Sequence, residues 1–238
     1  MRSAWYIIRS NHILARWFNT LHWPYSLLHL SFVVMGFGLA PTLHLERSLA
    51  VLIVFFLAMG VGAHALDLLT GDPLKLSIPR KQLQVAATVT IWAAAAIGVY
   101  YTVTLGLWWY FGLVGFGVFV VVAYNLELFR GFFHTDHWFA FSWGAFPFIC
   151  GYLINHGTIT TELVLGAIFC YAISRLQRIL STRARLVRRR VPQVQGWYLL
   201  DGEPSQKITR DWLIEPSEKA LMWLCLAVPI LAVLLVVY

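Results

Sequence analysis

Charge is scarce in this chain. Only 12% of its 238 residues are Asp, Glu, Lys or Arg, against about a quarter in soluble proteins. With 59% hydrophobic residues and a mean hydropathy of +0.69, that scarcity excludes an ordinary water-soluble domain. Cysteine is scarce too. Cys150, Cys170 and Cys225 lie in apolar runs with no pairing pattern and no metal-ligand spacing, which argues against a disulfide scaffold or a cysteine-held metal and leaves small packing residues. Acidic residues number 11 against 18 Lys plus Arg, a formal charge of +7. The basic residues are dispersed between apolar runs rather than gathered in one patch, which points away from nucleic acid and toward an anionic lipid surface or an anionic substrate. No removable signal peptide is expected, because Arg9 and Arg16 interrupt the apolar residues of the first twenty.

Long apolar runs are what the chain does contain. They predict seven membrane-spanning helices, at 25–40, 49–69, 85–107, 108–124, 138–154, 161–179 and 220–238. The third and fourth abut, with Gly106 as the obvious breaker between them. Residues 1–20 are too charged to span. Arg2, Arg9 and Arg16 recur on one stripe while Leu14, Trp17, Phe18 and Leu21 occupy another, the pattern of an amphipathic helix lying in the interface; a solvated first turn is the alternative for residues 1–10. With the N-terminus inside, every Lys and Arg except Arg47 falls on an inner segment, a strong positive-inside bias. The expected product is an all-α, multi-pass protein of the cell membrane with a cytoplasmic N-terminus. It divides into an interfacial helix (1–20), a six-helix membrane bundle (21–180), a basic cytoplasmic loop (181–218) with a short hairpin around Asp201-Gly202, and a final transmembrane helix (219–238).

Polar residues that could carry chemistry collect on the inner face. His64 and Asp67 stand one helical turn apart where apolar membrane gives way to water, followed by Asp72, Lys75, Arg80 and Lys81. The next inner loop holds Glu127, Arg130, His134, Asp136 and His137. His64, Asp67, Asp72, Glu127, His134 and Asp136 form a candidate set of metal ligands: imidazole suits zinc or iron, and carboxylates alone suit magnesium. Interfacial histidines and acids paired with nearby arginines are the alternative. Arg175 and Arg178, three residues apart at the end of the sixth span, point two guanidinium groups the same way, toward a phosphate or a carboxylate.

The order of these features resembles the UbiA superfamily of intramembrane aromatic prenyltransferases. His22-Trp-Pro-Tyr25 is similar to that family's entry into its first span. Ala63, His64, Asp67 and Gly71-Asp72 stand where the family carries N-D-x-x-D-x-x-x-D, and Ile78-Pro79 follows at about the family's distance. Tyr124-Asn-Leu-Glu-Leu-Phe-Arg130 resembles its Y-S-x-x-L-K-R, and Trp143 to Gly157 looks like its fifth span. The likeness covers about residues 20–181. It departs at the second aspartate motif, which falls near Gln177 and Ser181 and carries no acid, at His64 in place of an aspartate, and in the number of spans, usually nine.

The resemblance implies a divergent, shortened membrane prenyltransferase that binds a polyprenyl or lipid diphosphate at its cytoplasmic face. Asp67, His64 and Asp72 would be its catalytic residues, Mg²⁺ its cofactor, and Lys75, Arg80, Arg130, Arg175 and Arg178 the cations on the diphosphate. Two other readings stand beside it. One is a zinc- or iron-dependent membrane enzyme on the His/Asp/Glu set. The other is a non-catalytic subunit of a larger membrane complex, with a homo-oligomer or a partner membrane subunit covering the bundle's open side. The expected partner in the first two is a membrane lipid or isoprenoid, with no nucleic acid.

Overall fold

The computed structural model describes residues 4–237, so Arg2 lies outside the described residues. The chain is helical almost throughout, in the order α1 (Ile13–Thr20), α2 (Trp23–Leu39), α3 (Leu45–Phe55), a π-helical stretch (Phe56–Ala63), α4 (His64–Thr70), α5 (Arg80–Thr104), α6 (Tyr110–Asn125), α7 (Asp136–Ala140), a second π-helical stretch (Phe141–Ala145), α8 (Phe146–His156), α9 (Thr161–Arg190) and α10 (Arg210–Val237). α3, the first π stretch and α4 form one continuous rod, as do α7, the second π stretch and α8.

Among the described residues four helices are long and apolar enough to cross a membrane: Leu45–Thr70, Arg80–Thr104, Thr161–Arg190 and Arg210–Val237. α2 and α6 are apolar but have 17 and 16 residues. At 1.5 Å per residue they reach only about 24–26 Å, short of a hydrocarbon core of roughly 30 Å. Between α5 and α6 the chain reverses at Gly106, whose φ of +66° is a left-handed conformation open to glycine without strain.

α2 is packed against α3, α8 and α10. Two glycines explain the closeness. A Cβ on Gly36 would strike the backbone of Phe148 and Tyr152 in α8, and one on Gly151 would strike the carbonyl of Val33 in α2. Removing both side chains lets the two backbones touch, as small residues do at membrane helix interfaces. Leu28, Phe32, Val33, Phe148 and Tyr152 fill the core around this crossing.

Several element boundaries differ from those read in the sequence. α1 begins at Ile13, because Asn19 holds the preceding strand-like segment back on itself through both the N–H and the carbonyl of Ile8, each at 2.9 Å. Arg16 does not face headgroups; its guanidinium donates to the carbonyls of Leu76 and Ser77 at 3.2 and 3.0 Å. α9 runs on to Arg190 and α10 starts at Arg210, so the segment between helices is 191–209. The extra turns persist because Ala184 and Val187 of α9 pack on Ile214 of α10, Arg188 pairs with Glu218, and Arg210 caps the carbonyls of Val187 and Arg188 at 3.1 and 2.8 Å. Within 191–209 a two-residue ladder pairs Trp197 with Lys207 and Tyr198 with Gln206 about a turn at Gly202.

Candidate functional site

The acidic residues singled out in the sequence are held by their own neighbourhoods. Asp72 accepts the N–H groups of Leu76 and Ser77, one on each carboxylate oxygen, at 2.9 and 2.8 Å. It thereby closes a loop in which Lys75 and Ser77 take left-handed φ values of 54° and 53°. Arg80 is turned back to the carbonyl of Leu69 at 3.2 Å, and Lys75 is exposed. Asp67 is exposed at the end of the α3–α4 rod. In the loop after α6, His134 stacks on Tyr124, with ring centroids 4.5 Å apart. Its Nδ1 donates to the Tyr124 carbonyl at 2.9 Å, and its Nε2 stands 4.0 Å from Glu127. Arg130 is exposed. Asp136 opens α7 and is bound by two arginines of α9, Arg175 at 3.1 Å and Arg178 at 3.0 Å. Partial burial works against its charge, but the hydrogen bonds from Arg178 and Arg175 prevail and hold its carboxyl below the usual range.

The ligand set expected from the sequence is not gathered at one point. Among the described residues no three His, Cys, Asp or Glu side chains gather as a metal requires. His64 and Asp67 stand on α4, Asp72 in the loop after it, Glu127 and His134 in the loop after α6, and Asp136 at the start of α7, with the oxygens of Asp72 and Asp136 already taken by backbone N–H groups and guanidinium. The residues present therefore do not fit a resident Mg²⁺, zinc or iron ion. Of the five expected diphosphate-binding cations, Arg175 and Arg178 are half-buried on α9, while Lys75 and Arg130 in loops and Arg80 at the start of α5 are exposed.

A different constellation is assembled at the basic end of the bundle. Ser174, Gln177, Arg178, Ser181 and Arg185 follow one another at helical spacing, so one face of α9 is polar over three turns. Ser174, Gln177 and Ser181 are buried, and Arg178 and Arg185 half-buried. Arg178 is fixed twice, by Asp136 and by stacking over the ring of Phe139 at 4.8 Å. Arg185 lies within electrostatic reach of Tyr6 in the N-terminal segment, His22 and Tyr25 at the start of α2, and Tyr124 at the end of α6. Tyr6 is hydrogen-bonded to His22 Nδ1 at 2.8 Å, and the His22 ring faces that of His64 at 5.2 Å. His64 donates from Nδ1 to the Gly60 carbonyl at 2.9 Å, which leaves Nε2 as its acceptor nitrogen.

The cations of this end are partly matched by acids, Arg175 and Arg178 by Asp136 and Arg188 by Glu218. Burial, reinforced by His64, Arg185 and Arg189, pushes His22 down to about 3, so its imidazole is neutral at physiological pH. Burial also carries Tyr6 up to about 12, despite the opposing pull of Arg188, Arg185 and Arg189. Three buried polar atoms, Tyr124 Oη, Ser174 Oγ and Gln177 Oε1, have no hydrogen-bond partner. Leaving such a group unpaired costs about 1–3 kcal/mol.

In the sequence Gln177 and Ser181 stand out only as places where an acid is missing, and Tyr6, Ser174 and Arg185 do not stand out as site residues. The available signal was the run of polar residues at three- and four-residue spacing inside an otherwise apolar helix. No protein-family model, no curated protein and no solved structure matches the chain.

Proposed function

We propose that the chain is a seven-span, UbiA-like protein of the cell membrane that binds a polyprenyl or lipid diphosphate at the cytoplasmic end of its bundle, through arginines and neutral hydrogen-bonding groups rather than through a metal. The observation that carries the reading is the buried polar face of α9, with Arg178 and Arg185 beside the unpartnered atoms of Tyr124, Ser174 and Gln177. A diphosphate is rich in acceptor oxygens. Guanidinium groups meet such oxygens with paired N–H donors, Tyr and Ser hydroxyls donate as well, and the Gln177 amide donates once its terminal group is turned over.

A transfer reaction at such a site follows from the same groups. As the allylic C–O bond of the donor breaks, the electron pair leaves with the diphosphate, and preorganised guanidinium groups stabilise the charge that develops there. The acceptor attacks the allylic carbon and loses a proton. Positioning of Arg178 by Asp136 and Phe139 supplies the preorganisation.

Equilibrium binding of farnesyl diphosphate to the full chain in nanodiscs tests this reading. Binding is expected without Mg²⁺, with competition by inorganic diphosphate and none by farnesol. Absence of saturable binding with and without Mg²⁺, or competition by farnesol as strong as by diphosphate, would overturn it.

A further inference from the structure

An apolar cleft of about 80 Å³, partly open to the outside, lies apart from the polar end, between α3, α5, α6 and α8. No charged side chain lines it. Both π-helical stretches border it, the first through Ala58 and Met59 and the second through Ser142 and Trp143. π-helical turns are rare and recur at functional sites, so two of them on one cleft is an observation in its own right.

Ser142 supplies the second observation. Several hydroxyls elsewhere in the helices return to the carbonyl one turn back, as Ser31, Thr90 and Thr102 do at 2.8, 2.8 and 2.7 Å, although Ser174 does not. Ser142 lies in a π stretch, where the carbonyl register is shifted, and its buried Oγ has no partner. It is a neutral hydrogen-bonding group without a partner on a largely apolar wall. The two tyrosine hydroxyls at the cleft are already engaged, Tyr101 with Glu46 at 2.9 Å and Tyr110 with the Cys150 carbonyl at 3.1 Å.

Trp143 separates the cleft from the polar end. Its ring is stacked parallel to Phe139 at 5.5 Å and touches Tyr124 at 4.5 Å, and its carbonyl is bonded to His29 Nδ1 at 2.8 Å. The half-buried lining residues Val54, Ala58, Ala95, Ile97, Leu113 and Val118 instead lead outward, toward the surface that meets lipid.

We propose that this cleft is a second ligand site, entered from the bilayer, which takes an uncharged long-chain lipid whose single hydrogen-bonding oxygen sits at the depth of Ser142. The absence of charge in the lining rejects a diphosphate, and the unpartnered hydroxyl distinguishes an oxygen-bearing chain from a plain hydrocarbon. The inference does not rest on the diphosphate reading.

The test uses the full chain in detergent, labelled by a long-chain fatty alcohol that carries a diazirine, with label positions read by peptide mass spectrometry. Unlabelled alcohol is expected to compete about three- to tenfold better than the alkane of equal length, the range that one neutral hydrogen bond gives. Labels are expected on the α5, α6 and α8 cleft residues, and inorganic diphosphate is expected to leave them unchanged. Ser142→Ala is expected to erase the difference between alcohol and alkane, and Ala95→Phe to remove the cleft labels. Equal competition by alkane and alcohol in the wild type, labels falling elsewhere, or a Ser142→Ala protein that still distinguishes the two would each overturn the proposal. The wild-type comparison decides even where Ala95→Phe does not fold, and loss of farnesyl diphosphate binding would bear only on the other site.

Discussion

The loop after α4 and the inner turns of α9 both set polar residues at the basic end of the bundle, and they use them in opposite ways. In the loop, Asp72 satisfies two N–H groups of its own segment, Arg80 and Arg16 satisfy loose carbonyls, and the result is a closed structural unit. On α9, Ser174 and Gln177 are buried with unpartnered oxygens, and Arg178 and Arg185 are half-buried beside them. A carboxylate at a membrane boundary attracts attention because charge is costly there. Yet the group with binding capacity to spare is the buried one whose partners are missing, and in this chain that group is neutral or cationic.

The sharpest way to break this contrast is to remove the α9 cations. The double substitution Arg178→Gln, Arg185→Gln is expected to weaken farnesyl diphosphate binding by more than about 100-fold, since each hydrogen bond to a charged group contributes roughly 1.5–3 kcal/mol. Titration calorimetry would measure it, and a loss under tenfold would move the head-group site off α9.

A smaller effect tests the cationic character of the same region. His22 titrates well below its ordinary 6.5 in the folded chain, at about 3. The unfolded chain therefore binds the extra proton first as pH falls. Stability is full above about pH 6.5 and declines as pH drops from there toward 3, with a slope of at most about 1.4 kcal/mol per pH unit. Melting temperatures measured from pH 7.5 to 5 should fall, and His22→Gln should flatten the decline. An unchanged slope in that variant would assign the acid sensitivity to another group.

The smallest effect is expected in the loop. Asp72→Ala should lower stability by about 1–2 kcal/mol, through two lost backbone hydrogen bonds, while diphosphate binding stays within about twofold of wild type with or without Mg²⁺, because Asp72 contributes architecture and no ligand atom. A Mg²⁺-dependent loss of binding in Asp72→Ala would restore the aspartate to the site and end the contrast.

Much of the helical layout was legible because apolar length is a one-dimensional property. The seven apolar runs all became helical rods, and the break at Gly106 fell where the total length required one. Boundaries were less legible. α9 was expected to end near Ile179, since Arg183 to Arg190 reads as a basic loop, but Ala184 and Val187 are buried against Ile214, a residue thirty positions away. Arg16 was assigned to headgroups on its stripe, and it caps a loop sixty residues further on. The metal set failed for a related reason. His64, Asp67, Glu127 and His134 all lie near the ends of apolar runs, which the sequence reveals, but do not gather at one point, which it does not.

What the sequence by itself determined is the solvent and the secondary structure. Scarce charge, long apolar runs and the asymmetry of Lys and Arg require helices that satisfy their own backbone in an apolar medium, and four of the helices have the length and composition to cross one. Tertiary structure alone decided which polar groups have partners. Asp72 and Asp136 are neutralised by neighbours, whereas Tyr124, Ser142, Ser174 and Gln177 keep unpaired buried atoms. Whether a hydrogen bond is made depends on distance and direction between groups brought together by packing, and no spacing along the chain encodes that.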